Sequence, residues 1–351
     1  MDETNGGALT AAARAHSNIA LAKYWGKRDP ALNIPAVGSI SVTLNALHTD
    51  TTVRFDESLN GDELRLNGEI QPAGQRQSTR VSAILDRVRE VAGIRLFASV
   101  TSANNFPTGA GLASSASGFA ALVVAACAAA GADIAPRELS ILARRGSASA
   151  ARSIFGGFAE LHTGVAADGR DSYAEQLLDG DAWPLNVAVA ITDTSAKAVS
   201  STEGMQSTAE SSPFYRAWVD SAPHALDRMR EAILARDFET VGELTEHSCL
   251  ALHSLMFTTR PALIYWNAAT VAAIHAVREL RTDGVPVYFT IDAGPQVKAV
   301  CLPQDAATVS AALASVPGVR EVILSGLGPE AGTRPGTSGP GTSGPVASGA
   351  R

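Results

Sequence analysis

Cysteine, lysine and long apolar runs are all scarce in this sequence of 351 residues. Its three cysteines, Cys127, Cys249 and Cys301, form no spaced pair, which argues against a disulfide framework and against a zinc site. Cys127 lies in an alanine-rich apolar stretch and is expected to be a small core residue. The longest apolar stretch, Phe119 to Ala132, matches one buried helix and is too short to span a bilayer. Positive charge is also in deficit: the formal net charge is −7, and nothing marks a nucleic-acid surface. The opening run Met-Asp-Glu-Thr-Asn-Gly-Gly has neither the basic nor the apolar region of a secretory leader. A cytoplasmic protein is expected, with no membrane or nucleic-acid partner and enough apolar content for the full cores of two domains or of one large one.

Lysine is the most telling deficit. Lys23, Lys27, Lys197 and Lys298 stand against 24 arginines, a bias that fits GC-rich codon usage. In such a background a retained lysine is less often a surface filler. Two of the four fall in Asn18 to Arg28, where Gly26 permits a turn and Lys23, Lys27 and Arg28 gather charge around it. The plainer alternative is a solvated basic loop with Trp25 packed beneath it.

The stretch Asn104 to Ala120 organises the rest. Gly109 and Gly111 follow an expected strand over Leu96–Thr101, Ser114, Ser115 and Ser117 come next, and an Ala/Val-rich helix runs to about Gly131. Small residues let backbone N–H groups approach an anion, and a helix N-terminus adds free donors, an arrangement suited to a nucleoside triphosphate. No Gly-Lys-Ser/Thr follows, so this is not a P-loop, and a cation must come from elsewhere. Equally open is a Gly/Ser turn with Ser114 or Ser115 as the helix N-cap. Ser147, Ser149 and Arg152 offer hydroxyls and a planar guanidinium suited to phosphate or carboxylate, or else a polar helix start. Asp292 ends an apolar strand before a Gly-Pro turn and is placed to face a cleft, unless it only caps that turn.

Patterning predicts strands over 13–21, 39–47, 51–56, 183–192 and 285–291, with a polar turn joining the second and third. A hairpin is expected over 63–70 around Asn67-Gly68, and helices over 78–91, 137–144, 223–236, 238–256 and 262–282. Strands at 298–302 and 321–324 flank a helix at 304–314, a β-α-β ending. Residues 1–12 and the Gly/Pro/Ser/Thr repeat of 328–351 are expected to be disordered.

Taken in order, four segments carry a resemblance: Asn18-Ile-Ala-Leu-Ala-Lys-Tyr-Trp-Gly-Lys-Arg28, Asn105-Phe-Pro-Thr-Gly-Ala-Gly-Leu-Ala-Ser-Ser115, Arg152-Ser-Ile-Phe-Gly-Gly157 and Asp292-Ala-Gly-Pro295. Over residues 13 to 326 the chain resembles the GHMP kinase superfamily and, within it, the diphosphomevalonate decarboxylase family. The resemblance implies an α/β (α+β) fold of two domains, S5-like over 13–183 and ferredoxin-like over 184–327, with the site between them. It implies that mevalonate 5-diphosphate and ATP give isopentenyl diphosphate, ADP, phosphate and CO2, through phosphorylation of the 3-hydroxyl.

Matched position by position, the resemblance makes Asp292, Lys23, Arg152 and Asn18 catalytic. Tyr24, Lys27, Ser147, Ser149, Arg152 and Ser201 would hold the substrate. Pro107, Gly109, Gly111, Ser114 and Ser115 would hold ATP. Mg2+ would be held mainly by the phosphates, with no protein ligand assigned and Ser115 the one candidate contact. A homodimer is implied. Three positions depart from the family pattern: Gln296 replaces Asn, Ala148 replaces Gly, and Thr202 stands where bacterial members often have Arg. The last departure bears on the substrate's phosphorylation state, so a 5-phosphate decarboxylase and a 3-kinase stay open. An ordinary small-molecule kinase, or a non-catalytic ligand-binding homologue, would explain the motifs less well.

Overall fold

A computed structural model of the chain describes residues 9–106, 111–195 and 197–335. Its first half is laid out by two long strands, β1 (Leu9–Ala22) and β4 (Ser39–Asp56), with the small hairpin β2 (Lys27–Asp29) and β3 (Ile34–Pro35) between them. The sequence predicts two strands in place of β4, divided by a polar turn. The polar residues are instead satisfied across the sheet: Thr49 bonds Asn104 at 2.6 Å and Ser117 at 2.7 Å, and Asp50 accepts from Arg14 Nε at 2.8 Å. With its polar groups paired, the strand has no reason to turn.

Next come β5 (Glu63–Leu66), β6 (Glu69–Gln71), α1 (Arg76–Ala92), β7 (Phe97–Asn104), α2 (Ser114–Ala129) and α3 (Pro136–Gly146). The β5–β6 turn is the predicted one, with positive φ at both Asn67 and Gly68. A 3-10 segment, Ala148–Ile154, leads into β8 (Phe158–Leu161) and β9 (Ala174–Leu178). Helix α2 is apolar on every side and is buried between the sheet, α1 and α3.

The second half holds β10 (Asn186–Ile191), α4 (Ser201–Ser211), α5 (Tyr215–Ala235), α6 (Phe238–Phe257), α7 (Ala268–Thr282), β11 (Val287–Ile291), β12 (Val297–Cys301), α8 (Ala306–Ala314) and β13 (Glu321–Gly326). The strand order β11-β12-β10-β13 is that of a ferredoxin-like split β-α-β sheet. One face carries α7 and α8 on Phe289 and Ala299. The opposite face presents Val187, Val189 and Val300 to Leu44 and Phe158, so one continuous core joins the two halves.

Several boundaries differ from expectation for local reasons. Strand β1 begins at Leu9 because residues 9–12 pair with Phe55 to Thr52 of β4. Residues 332–334, predicted as disordered tail, form β14 (Gly332–Arg334) against Ala12–Arg14 of β1. Helix α5 starts eight residues before Pro223 and continues through it, forgoing the one hydrogen bond that a proline cannot donate. Helix α7 starts at Ala268 and not at Ala262, because Asn267 and Thr270 form a capping box. Residues 1–8 and 336–351 lie outside the described residues.

Candidate active site

A cavity of about 600 Å³ lies where the two halves meet. Strand β1 delivers Asn18 and Lys23 to it, and the β1–β4 register shifts twice there, between His16 and Asn18 and between Ala20 and Ala22. Such bulges re-aim side chains that a regular strand would alternate. Trp25 then anchors the segment to the second half, donating from Nε1 to Thr208 at 3.0 Å within an apolar cluster that includes Met205 and Leu252.

The lining is strongly cationic. Lys23, Lys27, Arg76, Arg80, Arg145, Arg152 and Lys197 face the cavity, and Asp292 is the only carboxylate among the described residues that do so. A chain of net charge −7 has thus gathered seven cations around one space. Electrostatically this is a receptor for a multiply charged anion.

At its centre Asp292 receives two ammonium groups, Lys23 Nζ on Oδ1 at 2.5 Å and Lys298 Nζ near Oδ2 at 3.1 Å. Burial raises the pKa of this carboxyl, but Lys23 and Lys298 outweigh that and hold it well below the usual carboxylate range.

Arg152 is 2% exposed and donates Nε to Ser41 at 2.8 Å, Nη1 to Ser39 at 2.6 Å and Nη2 to Asn18 Oδ1 at 3.0 Å. Burial pulls its pKa down to about 10. Asn18 is itself fixed, donating Nδ2 to Ser149 O at 3.0 Å and to Ser153 Oγ at 2.7 Å. The guanidinium is therefore held rigidly by neutral groups and lines the cavity.

Helix α2 has its N-cap at Ala113, which adopts a left-handed conformation at φ 57 without a side-chain cap bond. The two serines expected as caps lie inside the helix. Their hydroxyls are spared for the cavity that Gly111, Ser114 and Ser115 line, and Ser115 Oγ is 3.3 Å from Ser147 Oγ, which is 3.2 Å from Ser149 Oγ. Gly111 sits at φ +82, and a Cβ there would come within 3.0 Å of Gly294 Cα. Gly111 thus packs directly on the Asp-Ala-Gly-Pro turn. Pro107 and Gly109 fall outside the described residues.

Tyr24, Lys27 and Ser201 also line the cavity. Ser201 opens α4 behind a Ser200–Glu203 capping box. Sequence reasoning missed Lys197, Lys298, Arg76 and Arg80. Lys197 donates to Ser201 Oγ and to Ala293 O, both at 2.9 Å, and burial lowers its pKa to about 8. All four lysines of the chain meet here, so lysine scarcity was the signal that could have found the missing two.

The departures fall in different places. Gln296 is buried away from the cavity, accepting from Thr192 N at 2.7 Å and donating Nε2 to Asp193 O. It ties two strand ends together. Ala148, buried in the 3-10 segment, and Thr202, at the start of α4, both line the cavity.

A ferredoxin-like half that faces a larger sheet-and-helix half across a cationic cleft defines the two-domain fold of the GHMP kinase superfamily. Residues 15–174 match the diphosphomevalonate decarboxylase-like N-terminal domain, and residues 187–323 match the mevalonate 5-diphosphate decarboxylase C-terminal domain. The diphosphomevalonate decarboxylase of Candida albicans is 38% identical over 82% of this chain and 82% of its own length. The phosphomevalonate decarboxylase of Haloferax volcanii is also 38% identical, over 82% of this chain and 87% of its own. The solved mevalonate diphosphate decarboxylase of Enterococcus faecalis, described in terms of mevalonate diphosphate mediated ATP binding, superposes with a TM-score of 0.84. It is 38% identical, over 93% of this chain and 99% of that one. The chain belongs to the diphosphomevalonate decarboxylase family.

Proposed function

We propose that this cleft phosphorylates the 3-hydroxyl of mevalonate 5-diphosphate with ATP and then releases phosphate and CO2, leaving isopentenyl diphosphate. The observation that carries the reading is the placement of Arg152. A buried guanidinium with only neutral hydrogen-bond partners shares one cavity with an ionised Asp292. That pairing fits a substrate bearing a carboxylate and a hydroxyl.

Arg152 takes the substrate carboxylate, and Asn18 fixes the plane of the guanidinium. Asp292 orients the hydroxyl and counters the positive charge that grows at C3 as phosphate leaves. Its firmly ionised state suits those roles better than that of a strong base. Lys23 stands at Asp292 and Lys197 at the Ser201 end, so both add charge where phosphoryl oxygens gather. Tyr24, Lys27, Ser147, Ser149 and Ser201 hold the diphosphate. The 13–183 domain carries ATP on Gly111, Ser114 and Ser115, and the 184–327 domain brings Asp292 and Ser201.

A smaller pocket of about 140 Å³, lined by Leu64, Val100, Phe119 and Leu122, adjoins the start of α2 and suits the adenine ring. Mg2+ is used with ATP. Among the described residues no group of three or more His, Cys, Asp or Glu could hold a metal, so the phosphates supply most ligands, with Ser115 Oγ the hydroxyl at hand. The cation shields phosphate charge. A homodimer in the cytoplasm completes the proposal. The family resemblance supports the dimer, and three buried, unpaired cysteines fit a reducing compartment.

A second reading is favoured by Thr202 and by the Haloferax volcanii relative: decarboxylation of the 5-phosphate. One assay separates the two. Mevalonate, its 5-phosphate and its 5-diphosphate are each offered with ATP and Mg2+, and ADP and CO2 are followed together. Equal ADP and CO2 from the diphosphate is the expected result. The same result only from the monophosphate establishes the second reading, and ADP without CO2 makes the protein a kinase.

A further inference from the structure

We infer that Lys298 is a positioning residue: its ammonium stands as an ion-pair partner against the second carboxylate oxygen of Asp292 and links that acid to the Gly111 carbonyl. The inference rests on the decarboxylase reading and deepens it by linking the acid to the ATP loop.

Lys298 lies on β12, opposite Val189 of β10 and Thr290 of β11, and so faces the interface between the halves. It is 0% exposed and does not line the cavity. Its Nζ is 3.1 Å from Asp292 Oδ2 and donates to Gly111 O at 3.1 Å.

Stability does not account for it. Lys23, at 2.5 Å, already neutralises Asp292, so the second ammonium leaves the buried cluster with an excess positive charge. Burying a cation that shares its only counterion is unfavourable. Its contacts supply the reason. The carboxylate has an ammonium beside each oxygen, Lys23 hydrogen-bonding Oδ1 and Lys298 standing as an ion-pair partner at Oδ2. Lys298 also donates to Gly111, where a Cβ would meet Gly294 Cα. A strand in the middle of a sheet is a rigid base for such a tether. Gly111, acid and turn then form one unit, which sets the γ-phosphate and the acceptor hydroxyl at a fixed separation.

The test compares Lys298→Met with the wild type for kcat, KM, pH–rate profile and thermal midpoint. Misplacing the acid should lower kcat roughly 10- to 100-fold. The KM for the acceptor should stay within about threefold, because Lys298 does not touch it. The thermal midpoint should hold or rise, since Lys23 still neutralises Asp292. The acid limb of kcat should move to higher pH, because one cation now holds the carboxylate instead of two. A kcat within about twofold of wild type overturns the inference. So does a fall in midpoint with an unmoved acid limb, the signature of a packing residue. Should Lys298→Met fail to fold, Lys298→Gln, which keeps a donor for the Gly111 carbonyl without the charge, takes its place. A kcat lowered at least about tenfold with the acid limb moved supports the inference, and a kcat within about twofold of wild type overturns it. Absence of turnover in the wild type defeats the decarboxylase reading instead, so the two failures are distinct.

Discussion

Arg152 Nη2 donates to Asn18 Oδ1 across 3.0 Å, and the other acceptors of that guanidinium, Ser39 and Ser41, are equally neutral. With no anion among its hydrogen-bond partners, that guanidinium keeps its charge for the substrate carboxylate that we propose it binds. Arg152→Gln is therefore expected to lower kcat/KM roughly 10²- to 10³-fold, the scale of losing one member of a buried charge pair. Steady-state kinetics beside a thermal melt checks it. A loss confined to folding yield would make Arg152 a structural residue.

Asp292→Asn removes the one anion between two buried ammonium groups. Turnover should fall at least about 10³-fold, with ATP binding retained, and stability should drop by about 3–5 kcal/mol. The sign of the pH dependence follows from the depressed pKa in the folded state. The stability that Asp292 lends is fully present above its unfolded value, about 3.9, and is lost only as pH falls through the lower folded value. The difference in stability between variant and wild type should hence stay level from about pH 5 to pH 8. Denaturant melts at both ends of that range measure it, and a gap that closes by pH 5 would count against the ion-pair geometry.

Lys197 sets an alkaline boundary. Burial lowers its pKa to about 8, so its charge is lost well below the ordinary lysine value. The KM for the 5-diphosphate, which we propose Ser201 helps to hold, should rise as pH passes through about 8, and Lys197→Arg, which stays protonated, should flatten that limb. An unchanged profile in the arginine variant would detach the limb from this residue.

Thr202→Arg adds a guanidinium to the cavity wall. The KM for the 5-diphosphate should fall about tenfold, the worth of one hydrogen bond to a charged group, and that for the 5-phosphate should fall less. Parallel kinetics with both substrates reads the difference. Equal shifts would show that position 202 does not sense the terminal phosphate.

What could be read in advance divides along physical lines. Asn18, Lys23, Arg152 and Asp292 sit in compact motifs, so their chemistry and their neighbours appear together in the sequence. Lys298 has no such neighbourhood: it is one polar residue in the apolar strand Val297–Cys301, and only the packing of two halves brings it to Asp292. Strand β4 was misread because His48, Thr49 and Asp50 have the composition of a turn while their partners lie on β1, β7 and α2. Helix α2 was legible because it is apolar throughout. Its left-handed cap at Ala113 was not, since Ala rarely adopts that conformation and local propensity favours the serines beside it.

Strand β14 gives the assembly a temporal order. It lies beyond the ferredoxin-like half in sequence yet pairs with Ala12–Arg14 of β1, the edge of the first sheet. During synthesis that edge has no partner until the second half has emerged, so the strand that delivers Asn18 and Lys23 is sealed last. Truncation before Gly332 would leave the β1 edge open to pairing between copies. The order of translation thereby ties completion of one half to arrival of the other.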